Sequence, residues 1–473
     1  MAGVQFSTKS GSTATVDDSA IDALRSQVSG TLLREGQAEY DEVRQIWNGM
    51  IDKRPALIVR CATAADVVAA VKFGREQGLL VAVRGAGHNI AGNAVCDGGL
   101  MIDLSEMRAV HVDAGARRAT VEGGATLGDF DAAAQKHGLA TPLGINSTTG
   151  VAGLTLGGGF GWLSRKYGMT VDNLLSVDIV TADGAQLHAS EQEHPDLFWG
   201  IRGGSGNFGV VTQFEFQLHP VGPDVLSGLI VLPHDQAQVA LNKYATFSQS
   251  MPDDLNVWVV LRKAPPLPFL PEAVHGTDII AFAICYAGDP AEGEPLVEPI
   301  RSFGQALGEH VGVQPYTAWQ QAFDPLLTPG ARNYWKSHNF SKISAGAVEA
   351  IVQGAATLPS PQCEVFIGAI GGATTRVAPD AMAYSHRDAK YVMNVHGRWD
   401  SPSEDEAGIA WAREVFKATA PFASKGVYVN FLTADEGDRV GAAYGPNYNR
   451  LVEVKRKYDP ENLFRLNQNI DPS

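Results

Sequence analysis

The stretch Arg84-Gly-Ala-Gly-His-Asn-Ile-Ala-Gly92 decides how the first half of this chain is interpreted. It directly follows the apolar run 79–83, which has the length of a strand. Glycines one residue apart leave backbone N–H groups uncovered, so the loop can form a nest for an anion, and Arg84 adds positive charge. Taken alone, the same stretch is also typical of an ordinary tight turn that carries one histidine, His88.

Around this loop, short β-branched runs alternate with helical patterns from Arg54 to Leu218. Thr126 and Asp129 have capping-box spacing and predict a helix that runs to about residue 137. The other predicted elements are strands over 56–60, 79–83, 100–104 and 210–218, hairpins over 109–122 and 174–189, and a helix over 64–77. These elements predict a mixed α+β unit.

One glycine motif in this unit resembles a nucleotide-binding fingerprint. Gly204-Ser-Gly-Asn-Phe-Gly209 satisfies GxGxxG, which binds a dinucleotide only where it follows a strand and opens a helix. Here the preceding stretch, 191–200, has a helical pattern, and 210–218 alternates as a strand. The motif therefore predicts a turn with close backbone contact and not an NAD-binding Rossmann fold.

After residue 222 the glycine density falls, which suggests a second domain. Predicted strands over 225–232, 255–261, 278–287, 364–369 and 391–399 are separated by predicted helices over 237–249, 296–306 and 346–353. This order favours a largely antiparallel sheet flanked by helices. The tail segment 445–464 is predicted to be a helix rich in Lys and Arg that stops at Asp459-Pro460. We expect this tail to pack back on the first domain. We therefore divide the chain into 1–222, 223–420 and 421–473.

Composition excludes several classes of protein. The formal net charge of −15 without a basic cluster argues against nucleic acid as a partner. No run approaches the roughly 18 apolar residues of a membrane span, so no membrane partner is expected. Met1–Ser19 lacks a signal-peptide pattern and is expected to be a frayed lead-in of a cytoplasmic protein. The four cysteines show no CxxC pairing, so neither a metal site nor a disulfide framework is expected.

Six further segments, taken together, strengthen the interpretation of the His88 loop. They are 98–105, 121–124, 150–162, 165–168, 177–184 and 202–209, and a tail from Tyr444 to Ile470 follows them. Their order and spacing resemble the vanillyl-alcohol-oxidase-type (PCMH-type) flavoproteins, in particular the berberine-bridge-enzyme-like FAD-linked oxidases. The resemblance implies an α+β fold, with a PCMH-type FAD-binding domain of two α+β subdomains and a substrate domain whose sheet is largely antiparallel and flanked by helices.

The resemblance also implies how the cofactor is held. The family's histidine is bonded to the flavin 8α-methyl carbon, and His88 matches it. Many members add a cysteine in Gly-x-Cys-x-x-x-Gly, but Asn146 stands at that position in Gly144–Gly150. We therefore predict FAD with a single covalent link, at His88. The other predicted cofactor-binding residues are Arg84, Gly85, Ala86, Gly87, Asn89, Gly92, Asn146, Thr149, Gly150, Gly153, Gly158, Gly159, Gly161, Trp162, Asn207, Gly209, Val211, Tyr444 and Asn447.

Catalytic residues are predicted from two segments of the same resemblance. Val427–Phe431 resembles a strand that would place Tyr428, the leading candidate base, and Asn430 on one face. Residues 391–399 resemble a pocket-lining strand, with Asn394, His396 and Arg398 on one face. His396 is an alternative base or a group that polarises the substrate. Glu364 is a weaker carboxylate candidate, and Tyr334, Lys336 and His338 are expected to border the same cavity.

The implied reaction is oxidation of a C–H bond next to OH or NH in a small organic molecule, by hydride transfer to flavin N5. Dioxygen is the expected acceptor, which would release H2O2. Two alternatives stay open: a dehydrogenase with another acceptor, and a flavin-storing or ligand-binding protein without turnover. The sequence does not identify the substrate or the oligomeric state.

Overall fold

The computed structural model describes residues 3–473, so Met1 and Ala2 lie outside the described residues. The strands are β1 Gly3–Ser7, β2 Thr13–Asp17, β3 Thr31–Leu33, β4 Leu57–Arg60, β5 Val81–Arg84, β6 Leu100–Asp103, β7 Val110–Asp113, β8 Arg118–Glu122, β9 Leu139–Ala140, β10 Leu174–Val180, β11 Gln186–Ser190, β12 Val210–Gln217, β13 His219–Pro220, β14 Asp224–Pro233, β15 Leu255–Lys263, β16 Asp278–Tyr286, β17 Gly308–Pro315, β18 Arg332–Phe340, β19 Glu364–Ala369 and β20 Tyr391–Trp399. The helices are α1 Asp18–Arg25, α2 Tyr40–Arg44, α3 Ala64–Glu76, α4 Leu127–Gln135, α5 Val151–Leu156, α6 Ser164–Tyr167, α7 Pro195–Ile201, α8 Ala237–Phe247, α9 Pro290–Arg301, α10 Tyr316–Gln320, α11 Ala345–Ala355, α12 Asp405–Thr419, α13 Val440–Tyr444 and α14 Tyr448–Tyr458.

A four-stranded sheet, in the order β3-β4-β6-β5, carries the His88 loop. Its strands β4, β6 and β5 are parallel, and β5 ends at Arg84, immediately before the loop. Helix α3 begins with a capping box in which Thr63 and Asp66 bond reciprocally, and it packs on the sheet. Because ligands bind at the carboxyl ends of parallel strands, the loop leaves the sheet at the edge where a cofactor is expected.

A five-stranded antiparallel sheet, β11-β10-β12-β8-β7, forms the second part of the first half. Phe214 and Phe216 of β12 are fully buried in its core and alternate with polar residues, as the sequence predicts for 210–218. Strand β12 follows α7 and the Gly204–Gly209 turn, so the element order excludes a dinucleotide Rossmann fingerprint at that turn.

The second half is built on a seven-stranded antiparallel sheet, β17-β14-β16-β15-β19-β20-β18. Helices α9, α11 and α12 pack on its strands. Successive side chains of a strand point to opposite faces, so alternate residues such as Trp258, Val260 and Arg262 share the other face, which lines a cavity. The α+β class and the largely antiparallel second sheet are confirmed.

The tail returns to the first half. Lys455 of α14 is fully buried, pairs with Asp459 at 2.7 Å and donates to the carbonyl of Asn207 at 2.8 Å. The phenol of Tyr444 donates to the carbonyl of Gln468 at 2.7 Å. The bond to Asn207 joins the tail to the Gly204–Gly209 turn, and Nδ2 of Asn207 in turn donates to the Tyr444 hydroxyl at 3.2 Å. Among residues 3–473, no helix combines the length and the apolar character that a membrane crossing requires.

Several details differ from the sequence-based expectations. The lead-in is ordered, because Phe6 and Val16 of the β1–β2 hairpin are buried in the first-half core. Strands β17 and β18 and helix α12 were not predicted: β17 is an edge strand of mostly half-buried residues, and β18 carries buried polar residues that hide an apolar pattern. Residues 429–431 form a 3-10 turn and not a strand.

Candidate active site

The loop after β5 presents a row of backbone donors. The N–H groups of residues 85–89 donate to no protein acceptor within the described residues, 3–473. A Cβ at Gly150 would lie 2.9 Å from the Ala86 nitrogen, so only glycine allows the two segments to approach so closely. A Cβ at Gly153 would have no neighbour within 4 Å and would project into open space. Open N–H groups and a groove free of side chains fit the phosphates of a dinucleotide cofactor.

His88 projects from this loop into a cavity of about 310 Å³. Its Nε2 lies 3.0 Å from the Thr148 hydroxyl and its Nδ1 3.4 Å from the Thr149 hydroxyl. Trp47 stacks on the imidazole, with ring centroids 5.2 Å apart. Burial, assisted by the charge of Arg84, lowers the pKa of His88 to about 3. The imidazole is therefore neutral, with one ring nitrogen free of a proton.

Asn146 lies beside His88 in a segment fixed by the second half of the chain. Its Oδ1 accepts from the Thr148 N–H and hydroxyl at 3.0 and 2.7 Å, and its Nδ2 donates to the Leu327 carbonyl at 3.4 Å. The carboxylate of Asp324 accepts from the N–H of Ser147 at 2.9 Å and from its hydroxyl. The segment opposite His88 is thus held in place from both halves.

Tyr428 reaches the same cavity from the segment 427–431. The 3-10 turn over residues 429–431 follows it directly and sets its position. Its hydroxyl oxygen accepts from the N–H of Gly159 at 3.1 Å and from Nδ2 of Asn430 at 3.0 Å. Phe160 and Phe431 pack edge-on against its ring. Burial raises the pKa of Tyr428 to about 12, whereas the two donors act to lower it. They stabilise the phenolate once a proton has left.

Asn394 of β20 is fully buried and lines the cavity, and neither its Oδ1 nor its Nδ2 has a protein partner. A buried amide without partners is costly, so a bound molecule is expected to satisfy it. Its side chain carries two N–H donors and one carbonyl acceptor that the protein leaves unpaired.

His396 lies two residues further along β20, between two acceptors. Its Nε2 is 3.0 Å from Oδ1 of Asn333, and its Nδ1 is 3.4 Å from Glu364. Arg262 pairs with Glu364 at 2.7 Å. Burial lowers the pKa of His396, against the opposite effect of Glu364. Both ring nitrogens already face protein groups, which suits a positioning role better than proton transfer.

The predicted site residues fall into two groups. The cavity lining contains the three candidate catalytic residues and part of the cofactor set, namely Gly85, Ala86, Gly87, His88, Asn89, Asn146, Thr149, Gly150, Gly153, Trp162, Asn394, His396 and Tyr428. Outside that lining lie Arg84, Gly92, Gly158, Gly159, Gly161, Asn207, Gly209, Val211, Tyr444 and Asn447. Several of the latter bond within the fold: Asn447, for example, donates to the carbonyls of Pro379 and Met382. Their contact with a cofactor stays a prediction.

One sequence-based expectation about the cavity is wrong. Tyr334, Lys336 and His338 alternate with Trp335 along β18, and only Trp335 lines the cavity. On the opposite face, the first two bond to Asp435 and His338 stacks on Phe416.

Sequence reasoning missed Trp47 and Arg262. Neither belongs to a recognisable motif, although Arg262 lies one residue past the predicted strand 255–261 and four residues after Trp258, a spacing that places both on one face of an extended strand.

Comparison with known proteins agrees with this geometry. Residues 55–190 match the family profile described as FAD binding domain, and residues 427–471 match the one described as berberine and berberine like. An FAD-linked oxidoreductase of Dictyostelium discoideum is 33% identical, covering 94% of this chain and 95% of the relative. (R)-6-hydroxynicotine oxidase of Paenarthrobacter nicotinovorans is 31% identical, covering 94% of this chain and 97% of the relative.

A solved structure gives the same result. The crystal structure of 6-hydroxy-D-nicotine oxidase from Arthrobacter nicotinovorans superposes with a TM-score of 0.84 at 30% identity, covering 94% of this chain and 98% of that one. This chain belongs to the berberine-bridge-enzyme-like FAD-linked oxidases of the PCMH-type flavoprotein superfamily. Its relatives are named FAD-linked oxidoreductases and oxidases, and this chain is an FAD-dependent enzyme.

Proposed function

We propose that the chain is an oxidase that holds FAD through one covalent bond at His88. It oxidises a C–H bond next to OH or NH in a small organic substrate and passes the electrons to dioxygen. The observation that carries the proposal is that His88, Tyr428, Asn394 and His396 line one cavity. We also propose the division into 1–222, 223–420 and 421–473, since the seven-stranded sheet lies within the middle range.

The surroundings of His88 support the covalent link. A bond to carbon requires a ring nitrogen with a free lone pair, and the pKa of about 3 keeps the imidazole unprotonated. The stacked indole of Trp47 and the hydroxyls of Thr148 and Thr149 fix the plane of the ring. Asn146 supplies no thiolate, so His88 is the single tether.

The chemistry divides between cofactor and protein. Bound FAD supplies the acceptor for the hydride that leaves the substrate carbon. The phenolate form of Tyr428, which the N–H of Gly159 and Nδ2 of Asn430 stabilise, takes the proton from the substrate OH or NH and becomes the phenol. Asn394 orients the substrate through its unpartnered amide. Arg262, Glu364 and His396 form a fixed polar group on the sheet side of the cavity.

The experiment compares wild type with His88→Ala by acid precipitation and by flavin fluorescence on a denaturing gel. Wild type is expected to keep its flavin with the polypeptide, and His88→Ala to release it. His111→Ala, at an exposed histidine of β7 outside the cavity, is the control and should keep it. Release of all flavin from denatured wild type would contradict the covalent link.

Peroxide release during a substrate screen tests the acceptor. Stoichiometric H2O2 in air supports an oxidase. Rapid anaerobic loss of flavin absorbance, followed by reoxidation only with an added artificial acceptor, would support a dehydrogenase.

A further inference from the structure

Asn146, at the position where many family members have a cysteine, is held in one orientation by two backbone groups. Its Oδ1 accepts from the N–H of Thr148 at 3.0 Å, and its Nδ2 donates to the Leu327 carbonyl at 3.4 Å. A backbone N–H only donates and a backbone carbonyl only accepts, so these two bonds distinguish the oxygen of the amide from its nitrogen. The oxygen therefore faces Thr148.

The orientation of Asn146 determines where the single proton of the Thr148 hydroxyl points. This hydroxyl oxygen lies 2.7 Å from Oδ1 of Asn146 and 3.0 Å from Nε2 of His88. Because the amide oxygen only accepts, the hydroxyl donates its proton to Asn146 and has only lone pairs left for His88. Nε2 is therefore the donor in the bond between Thr148 and His88, and it carries the ring proton.

The other ring nitrogen of His88 keeps its lone pair. Burial lowers the pKa of this ring to about 3, so the imidazole is neutral and carries one proton, the one on Nε2. Nδ1 lies 3.4 Å from the Thr149 hydroxyl, which is long for a hydrogen bond and leaves its lone pair weakly engaged. Nδ1 is therefore the nitrogen of His88 that is available to bond to carbon.

We propose that Asn146 and Thr148 are positioning residues for attachment of the cofactor, because they hold the proton of His88 on Nε2 and keep Nδ1 free. This role rests on the proposed function. In the attachment step an N–C bond forms at Nδ1, and one C–H bond of the flavin methyl group breaks. The methyl group and Nε2 each lose one hydrogen. With dioxygen as the acceptor, the two electrons of the C–H bond and the two protons leave as H2O2.

The same two residues act while the N–C bond forms. As Nδ1 shares its lone pair, the imidazole ring becomes positively charged, and the Nε2–H bond to Thr148 strengthens because its donor is now charged. The Thr148 hydroxyl keeps accepting from Nε2, since its own proton stays on Oδ1 of Asn146. Asn146 and Thr148 thus favour the reactive form of His88 before attachment and stabilise its charge during attachment.

The first measurement is the rate of covalent attachment. The full-length chain is produced without flavin in riboflavin-starved cells and mixed with FAD, and the flavin that stays with the acid-precipitated protein is followed over time. Asn146→Leu removes the oxygen that takes the Thr148 proton, and Thr148→Val removes the acceptor for Nε2–H. Each variant is expected to attach FAD about three- to tenfold more slowly, the effect of one hydrogen bond. Thr148→Ser keeps the hydroxyl and should restore the wild-type rate.

Thr141→Val is the matched control for Thr148→Val. Within residues 3–473, the Thr141 hydroxyl is buried without a partner, and Thr141 lies outside the cavity lining, so attachment should proceed at the wild-type rate. Noncovalent binding of FAD, measured by flavin fluorescence before attachment, should be the same in Asn146→Leu as in wild type. Weaker binding that accounts for the whole loss of rate would overturn the proposed role.

The second measurement locates the ring proton directly. In flavin-free chain with isotope-labelled histidine, the NMR shifts of the two ring nitrogens show which one carries hydrogen, and His88→Ala assigns the signals. Wild type should show Nε2–H, and both Asn146→Leu and Thr148→Val should shift the population toward Nδ1–H. A purely structural role of Asn146 would not change these shifts. Nδ1–H in wild type, or the same tautomer in wild type and both variants, would overturn the inference.

The wild-type result separates this inference from the proposed function. If wild type attaches FAD and both variants attach it at the same rate, the tether at His88 stands and the role of Asn146 and Thr148 is overturned. If wild type attaches no FAD, the proposed tether is overturned, and this role falls with it. NMR of the flavin peptide cut from wild type should show the carbon on Nδ1, whereas a carbon on Nε2 would overturn the role of Asn146 alone.

Discussion

The two walls of the cavity differ in what they present. On the side of the first half, the loop 85–89 and the glycines at 150 and 153 present backbone N–H groups and a groove without side chains. On the side of the seven-stranded sheet, β14, β15, β16, β18, β19 and β20 present alternate side chains from one face. We call the first the backbone wall and the second the sheet wall. At the backbone wall, close backbone contacts restrict which residue types can occupy each position. At the sheet wall, the strands require only that every second side chain faces the cavity. Binding of the common cofactor and selection of the substrate are therefore separated in space.

The largest effect is expected from filling the backbone wall. Gly153 lies in α5, and a side chain there would meet no protein atom at its Cβ, so Gly153→Leu should fold and gain about 1 kcal/mol of helix propensity. The leucine would occupy the groove, so we expect flavin content and activity to be lost while the cofactor-free Tm is kept. Flavin absorbance of the purified protein and thermal unfolding measure both.

Gly312→Leu is the control for this change. Gly312 also has an unobstructed Cβ, but it lies on the edge strand β17 and lines neither the His88 cavity nor the cavity beside Ala91 and Asn93. The control should bind FAD normally. Full flavin content in Gly153→Leu would show that the groove does not hold the cofactor.

The next effect concerns chemistry between the walls. Tyr428→Phe should lower kcat by about 10²- to 10⁴-fold, the usual contribution of a general base, with flavin content unchanged. Because the pKa of Tyr428 is raised to about 12, the phenolate fraction grows through the alkaline range, and wild-type kcat/KM should rise from pH 7 to 10. The variant should lose that rise, as measured by anaerobic flavin reduction in a stopped-flow instrument.

Tyr316→Phe provides the comparison for this variant. Tyr316 is buried, its hydroxyl has no partner, and it lies outside the cavity, so its rate and pH profile should match wild type. A Tyr428→Phe enzyme with an unchanged pH profile would assign the proton to another group, with His396 next to be tested.

The difference between the walls also explains what could be predicted from sequence. The strand–helix order, the Thr126 capping box and the His88 loop were predictable because backbone demands select glycine and capping residues at fixed positions. Trp47 was not, because its stacking on His88 is a contact between segments 41 residues apart that no local pattern encodes. Residues 429–431 alternate like a strand in sequence but form a 3-10 turn. Tertiary contacts, such as the hydrogen bond from Gly159 to Tyr428, determine the conformation of this segment, and the local pattern does not contain them.

A smaller effect, on stability, is expected from removing one charge of the Arg262–Glu364 ion pair in the sheet wall. Glu364→Gln leaves Arg262 without its partner, and we expect a loss of about 2–3 kcal/mol in stability, since the pair is largely buried. Replacing both Glu364 and Arg262 by leucine should restore most of that loss, because no charge is then left unpaired. Denaturant unfolding measures both variants.

The pair between Lys263 and Asp278 lies on the neighbouring strands β15 and β16 and is more exposed, so it serves as the control. Asp278→Asn should cost less than about 1 kcal/mol. Equal losses at the two sites would mean that the sheet wall is wetter than its burial indicates.

The smallest effect is expected where the two halves of the chain meet. Asp131 of α4 is buried, and Nε2 of Gln320 on α10 donates to its carboxylate at 2.9 Å. Burial raises the pKa of Asp131 to about 7, against the weaker opposite effect of Gln320. Because the folded-state pKa lies above that of the unfolded chain, this group's contribution to stability is complete below the unfolded-state pKa of about 3.9 and is lost as the pH rises from there to 7.

Asp131→Asn removes the titration and keeps an acceptor for Gln320. The Tm of the variant should therefore equal that of wild type near pH 3.5, below the ordinary Asp pKa of about 3.9, and exceed it by several degrees near pH 9, where ionised Asp131 costs up to about 4 kcal/mol. Thermal unfolding at both pH values measures this difference. A gain in Tm that is the same at both values would show that Asp131 does not titrate in this range. A pH-dependent gain would mean that the contact between the two halves at Asp131 and Gln320 weakens in alkali, where the Tyr428 phenolate is most abundant.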